Sequence, residues 1–160
     1  MLSFHASLPM MLNTALDGVM PVYRELFARY DLTETQWRVL RVLWESDTVS
    51  SIDLARQTLI PAPSLVGVLD RLTRKGLIER RRSDSDRRLV SVVATDAGKQ
   101  LGDQVMPEVE RIHAFIQSRV SQDEWRALQH TLETLSTATQ AVSLASLLDE
   151  PETVITQEAV

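Results

Sequence analysis

Three stripes of apolar residues, spaced in threes and fours, occupy the two ends of this 160-residue chain. The first takes Leu8, Met11, Leu12, Ala15, Leu16, Val19, Tyr23, Leu26, Phe27 and Tyr30. The second takes Leu101, Val105, Val109, Ile112, Ile116 and Val120, and the third Trp125, Leu128, Leu132, Leu135, Val142 and Ala145. This spacing marks amphipathic helices. A chain of this length is about one domain, and its middle alone is too small to cover three long stripes. The economical solution is a dimer whose terminal helices bury one another. A monomer that folds them over its own middle is the alternative. Pro9 suits a first turn. Pro21 lies inside the first stripe and predicts a kink or break near Met20, and Pro107 interrupts the second stripe.

The middle reads as shorter elements. Thr33-Glu-Thr-Gln36 is a capping-box pattern opening a helix to about Glu45. Ser50-Ser-Ile-Asp53 opens a short helix to about Thr58, and Leu59-Ile-Pro-Ala-Pro63 is a turn. Pro63 then starts a helix to Lys75, with Gly76 as its stop. The pair, 51–58 and 63–75, has helix-turn-helix dimensions. Leu77–Arg82 and Leu89–Val93 read as strands around Ser83-Asp-Ser-Asp86, a turn. Thr95 caps a helix over about 96–119, and Ser121-Gln-Asp-Glu124 opens the last one.

Charge points to what the middle meets. The chain carries a net −5, yet residues 71–90 hold eight Arg/Lys against three acids. A basic segment in an acidic protein is the footprint of a phosphate-binding surface. On the 63–75 helix, Leu65, Val68, Leu69 and Leu72 form the inward face, while Ser64, Gly67, Arg71 and Arg74 share the opposite one. Small, polar and basic side chains are what a major groove accepts, and Arg pairs with guanine. At the hairpin tip, Arg87 and Arg88 are placed to enter a minor groove, Asp86 orienting Arg88. Read singly, each feature is also an ordinary solvated face or turn.

Other functions find little support. There are no cysteines, which excludes disulfides and thiolate chemistry. The three histidines, His5, His113 and His130, lack a metal-ligand spacing, and five glycines leave little room for a phosphate loop. No nucleophile-elbow motif occurs. The expectation is a non-enzyme without metal or cofactor. No apolar run reaches the roughly 20 residues of a membrane span, and the N-terminal MLSFHASLPMM lacks a basic region and a long apolar stretch. A cytoplasmic protein with no membrane partner is expected.

At this point the chain resembles the multiple-antibiotic-resistance regulator (MarR) family of bacterial winged-helix repressors. The carrying residues are LTETQWRVLRVL from Leu32 to Leu43, SLVGVLDRLTRKG from Ser64 to Gly76, and LIERRRSDSDRRLVSVVATDAG from Leu77 to Gly98. The resemblance implies a mainly α fold with a small β wing: a winged helix-turn-helix lobe (32–95) flanked by N-terminal (1–31) and C-terminal (96–148) dimerisation helices, with a frayed tail at 149–160. It implies a homodimer on a pseudo-palindromic double-stranded operator. The DNA-contacting residues carried over are Pro63, Ser64, Gly67, Arg71, Arg74, Arg82, Asp86, Arg87 and Arg88. Many members have a Thr-Arg pair where this chain has Val66-Gly67. Glycine there costs a helix roughly 1 kcal/mol, and base readout must lean on Ser64, Arg71, the wing, or main chain brought close at Gly67. The sequence looks most like the branch that represses homoprotocatechuate and other aromatic-acid catabolic genes.

Family effectors are small aromatic or phenolic acids bound between the dimerisation helices and the DNA-binding lobe. Trp37, Arg41 and Trp44 fall at i, i+4 and i+7, with Arg38 beside them. A cation between two indoles would cradle an aromatic carboxylate, and His5 falls near the expected mouth. A purely structural cation–π cluster explains the same spacing. Two rival functions stay open: a constitutive DNA-binding regulator without effector, and a winged-helix protein-interaction module.

Overall fold

The computed structural model describes residues 3–46, 48–82, 90–139 and 143. A short 3-10 turn at Phe4–Ala6 precedes α1 (Leu8–Arg29) and α2 (Glu34–Glu45). Then come β1 (Val49–Ser50), α3 (Ser51–Thr58), α4 (Ala62–Arg74), β2 (Ile78–Arg82), β3 (Val90–Ala94), α5 (Asp96–Gln117) and α6 (Gln122–Thr139). The winged helix-turn-helix order expected from the sequence is present: a helix pair followed by an antiparallel β2–β3 ladder that pairs Ile78 with Ala94 and Arg82 with Val90. Two compact units divide the chain, residues 1–116 and 117–160.

The helix starts follow side-chain chemistry. At α2 both arms of the capping box close: Gln36 N–H donates to Thr33 Oγ1 at 3.3 Å, and Thr33 N–H donates to Gln36 Oε1 at 3.0 Å. This satisfies two end groups that a helix leaves orphaned. Ser50 caps α3 by accepting from Asp53 N–H at 3.0 Å. In the second unit Ser121 Oγ accepts from Glu124 N–H at 3.3 Å, while the Glu124 carboxylate takes Ser121 N–H at 2.8 Å. The Ser121 hydroxyl, donating to the same carboxylate at 2.7 Å, and the Ser121 N–H together hold the Glu124 carboxyl below its ordinary pKa. α4 ends at Gly76, whose φ of 70° suits only glycine well, and Leu77 N–H reaches back to Leu72 C=O at 3.1 Å.

Two features depart from the sequence-based expectation. The kink or break expected near Met20 is not a break: α1 is one helix through Pro21, as α5 is through Pro107. Each proline removes its own donor to the carbonyl four residues back. Pro21 and Asp17 are exposed, as are Pro107 and Asp103, so water can take the orphaned carbonyl. The second departure is β1, a two-residue strand that pairs Val49 with Val92 and makes β3 the centre of the sheet.

The core lies where α2, α3, α4 and the sheet converge. Leu65, Val68, Leu69 and Leu72 of α4 are all buried, against Val39, Leu40, Leu54, Ile78 and Val92. Each such leucine contributes about 1.5–3 kcal/mol by leaving water. That burial leaves the opposite face of α4 outward. α1 joins through Leu26 and Phe27 near its end. There Tyr30 Oη donates to Glu108 Oε1 of α5 at 2.7 Å, and Arg29 Nη1 to Glu108 Oε2 at 2.8 Å. The bond to Glu108, with burial, holds the Tyr30 phenol above its usual pKa; burial alone raises that of Tyr23.

Candidate nucleic-acid interface and effector cleft

α4 presents the expected outward surface. Pro63, Ser64, Arg71 and Arg74 are exposed, and Gly67 is half-buried. The cations nearby divide into engaged and free. Lys75 bonds Asp31, on the turn after α1, with its ammonium 2.8 Å from the carboxylate. Arg80 on β2 pairs with Asp70 of α4 at 2.5 Å, and Arg81 with Glu79 at 3.4 Å. Arg71 and Arg74 have no carboxylate partner among the described residues; Arg74 makes only a 3.4 Å bond to the Asp70 carbonyl. Two unpaired guanidiniums on the exposed face of a helix are available to phosphates and base edges.

The wing is only partly in view. Arg82 ends β2 opposite Val90. Asp86, Arg87 and Arg88 lie outside the described residues. What the structure adds is the brace beneath the wing. Arg80 follows buried Ile78 by two, so strand alternation turns it toward α4. There it meets Asp70 and ties β2 to the helix that carries Arg71. Sequence reasoning counted Arg80 only as one charge among eight; the alternation was the signal that could have singled it out.

The aromatic constellation on α2 is arranged differently from a cation held between indoles. Trp37 and Trp44 meet each other edge-on, centroids 5.4 Å apart, and Phe27 stacks on Trp37 at 4.7 Å. Arg41 turns to Glu45 at 2.7 Å, and Arg38 to Glu34 at 2.5 Å. Trp44 Nε1 donates to Gly98 C=O of α5 at 2.9 Å. Beside it opens a cleft of about 510 Å³ lined by Arg41, Leu43, Trp44, Lys99, Gly102, Asp103 and Met106. The structure thus brings Arg41 and Trp44 to one cleft. Trp37 and Arg38 do not line it, and His5 sits on the exposed turn before α1. Lys99 and Asp103 were missed because they sit 55 or more residues away in sequence from Trp44.

This cleft has chemistry of a definite kind. Arg41 and Lys99 supply two cations, Trp44 an aromatic face and Met106 a soft apolar wall. An exposed i,i+4 pair such as Arg41–Glu45 is worth only about 0.3–0.5 kcal/mol. A ligand carboxylate can therefore displace Glu45 at little cost. Among the described residues no group of acids and histidines is placed to hold a metal ion, and no helix is long and apolar enough to cross a membrane.

Comparison with known proteins converges on one family. The MarR family model matches residues 32–90. The homoprotocatechuate degradative operon repressor of Escherichia coli is 33% identical over 129 residues, covering 81% of this chain and 87% of that protein. The regulator FarR of Neisseria gonorrhoeae is 31% identical over 141 residues, covering 88% and 97%. Among solved structures, NadR in complex with 4-hydroxyphenylacetate is 32% identical with a TM-score of 0.73, covering 84% of this chain and 96% of that one. The helix pair, braced hairpin and flanking helices agree with these matches, and the chain belongs to the MarR family of non-enzymatic, DNA-binding transcriptional regulators.

Proposed function

We propose that the chain is a cytoplasmic homodimeric repressor that holds a pseudo-palindromic operator and lets go when a small aromatic acid binds. The observation that carries DNA binding is the exposed Arg71–Arg74 face of α4, where neither guanidinium has a carboxylate partner among the described residues. In this reading α4 enters the major groove while Arg87 and Arg88 of the wing enter the minor groove, Arg88 steered by Asp86. Dimerisation is supported by α1, where Leu8, Met11, Leu12 and Leu16 are 40–56% exposed along one stripe. Leaving such a stripe in water forgoes the stabilisation its burial would give.

The effector reading is supported by the Arg41–Trp44–Lys99 cleft. A carboxylate would pair with the two cations and its ring would lie on Trp44. Asp103 offers an acceptor to a ring hydroxyl. Two relatives have names that carry this chemistry: the repressor of homoprotocatechuate degradation, and NadR holding 4-hydroxyphenylacetate. Trp37, edge-on to Trp44, backs the aromatic wall of that cleft, while Arg38 and His5 lie outside its lining and carry no part of this reading. α5 follows directly on the wing strand β3, so a ligand that shifts α5 against α2 moves the lobe that carries α4. Half-sites lie about 34–36 Å apart on B-DNA, so a small change in spacing breaks the second contact.

The test uses DNA selected by the purified protein from a genomic library. 4-Hydroxyphenylacetate should quench tryptophan emission and release that DNA over one concentration range, and its neutral amide should do neither. Tight DNA binding that no aromatic acid relieves would make the chain a constitutive regulator. No DNA retained at all would leave an interaction module.

A further inference from the structure

The five glycines of the chain do not have the same reason to be glycine. Gly76 needs its positive φ, a side chain at Gly98 would lie 2.1 Å from Leu77 C=O, and one at Gly102 would lie 2.9 Å from the Trp44 indole. Gly67 has no such constraint. It lies mid-α4 without a positive φ, and a Cβ there would meet only Arg71 Nη1, at an ordinary 3.5 Å. Glycine in a helix interior lowers stability relative to alanine. Among the described residues, nothing in the free protein's fold offsets that loss. Gly18 is equally open, but it lies in α1, where with Val22 and Phe115 it lines a cleft between α1 and α5.

The helical period puts Gly67 on the crest opposite Leu65, Val68, Leu69 and Leu72. Arg71 is one turn further on. Helical side chains lean toward the N-terminus, and the Arg71 guanidinium lies back over the space left by Gly67. It makes no ion pair with any described residue.

We propose that Gly67 and Arg71 form one base-reading unit, an inference that rests on the DNA-binding reading above. The missing side chain lets the crest of α4 approach the base pairs, and the Arg71 guanidinium, seated over that niche, bonds O6 and N7 of one guanine in each half-site. A methyl at position 67 fits the free protein, so its penalty appears only on DNA.

The experiment compares full-length wild type, Gly67→Ala and Arg71→Ala. Each is measured for thermal melting, for binding to random-sequence DNA, and for binding to the selected operator with single guanines replaced by 7-deazaguanine. Gly67→Ala should melt at a higher temperature and bind the operator at least about 5-fold more weakly, losing more affinity for the operator than for random DNA. One 7-deazaguanine per half-site should weaken wild type by about 5- to 150-fold and leave Arg71→Ala unaffected. Operator binding by Gly67→Ala equal to wild type overturns the proposal. So does a lower melting temperature for that variant, or the absence of any guanine whose replacement Arg71→Ala ignores. If wild type binds random DNA but shows no such guanine, only this inference fails. If wild type binds no DNA, the underlying reading fails with it.

Discussion

Gly98→Ala should destabilise this protein although alanine is the better helix former. The added Cβ would sit 2.1 Å from Leu77 C=O, where ordinary contact is roughly 3.5 Å. The obstacle is backbone, so no rotamer relieves it. That carbonyl accepts Thr95 N–H at 3.1 Å, Thr95 Oγ1 donates to Gly76 C=O at 2.6 Å, and Gly98 N–H donates to Thr95 Oγ1 at 3.1 Å. Gly98 C=O also accepts from Trp44. A shift of α5 therefore strains the junction of α4, β2, β3 and α2 together. Overpacking costs about 1–3 kcal/mol, and each hydrogen bond lost adds about 0.5–1.5 kcal/mol. Helix propensity returns at most about 1 kcal/mol. The net loss is about 2–3 kcal/mol, a large part of a typical stability of roughly 5–15 kcal/mol. The same substitution at Gly67 should instead stabilise by up to about 1 kcal/mol. Urea unfolding followed by far-UV circular dichroism and tryptophan emission, at one fixed protein concentration, reads both. A Gly98→Ala variant with the wild-type urea midpoint would refute the close-packing argument.

The double variant Leu12→Glu/Leu16→Glu, placing two charges on the α1 stripe, should be monomeric by light scattering; a dimer of unchanged mass would move the interface elsewhere. Both tyrosines have raised pKa values, so phenolate absorbance in the native protein should appear at higher pH than in the unfolded chain. For Tyr30 the folded value is the higher one, so its bond to Glu108 contributes stability below the usual phenol pKa of about 10 and loses it as pH rises through the raised value. Glu108→Ala should bring one of the two titrations down, and an unchanged curve would discount that bond. Arg41→Ala/Lys99→Ala should abolish release by 4-hydroxyphenylacetate while operator binding stays; release as in wild type would place the effector in another cleft. Arg88→Ala should weaken specific and random DNA alike and lower the salt slope by about one unit per half-site, and wild-type behaviour would remove Arg88 from the interface.

Much of the fold was legible because its signals are local. The Thr33–Gln36, Ser50–Asp53 and Ser121–Glu124 pairs announce helix starts, and the inward face of α4 follows from the spacing of Leu65, Val68, Leu69 and Leu72. A two-residue strand such as β1 has no period to detect; its partner β3 is some 40 residues on. Pro21 reads as a breaker because sequence does not show that Asp17, whose carbonyl it orphans, is exposed, so that water can take that carbonyl. Charge counting located the basic segment but not its pairing, and Lys75 and Arg80 are held by Asp31 and Asp70. Helical spacing put Trp37, Arg41 and Trp44 on one face, yet the indoles touch each other and Glu45 takes the guanidinium. The cleft itself needed α5, whose Lys99 and Asp103 are far away in sequence.

The most direct test of the central claim is the salt dependence of DNA binding by the wild type and by Arg71→Ala/Arg74→Ala. A protein that docks basic side chains on phosphates releases counterions, and the logarithm of its binding constant falls linearly with the logarithm of salt concentration, by about 0.9 per phosphate neutralised. The account predicts a slope of several units for the wild type on the selected operator, and a clearly shallower one for the variant at weaker affinity. A flat line for the wild type, or the same slope and affinity after both guanidiniums are gone, would contradict the assignment of α4 as the DNA-reading helix.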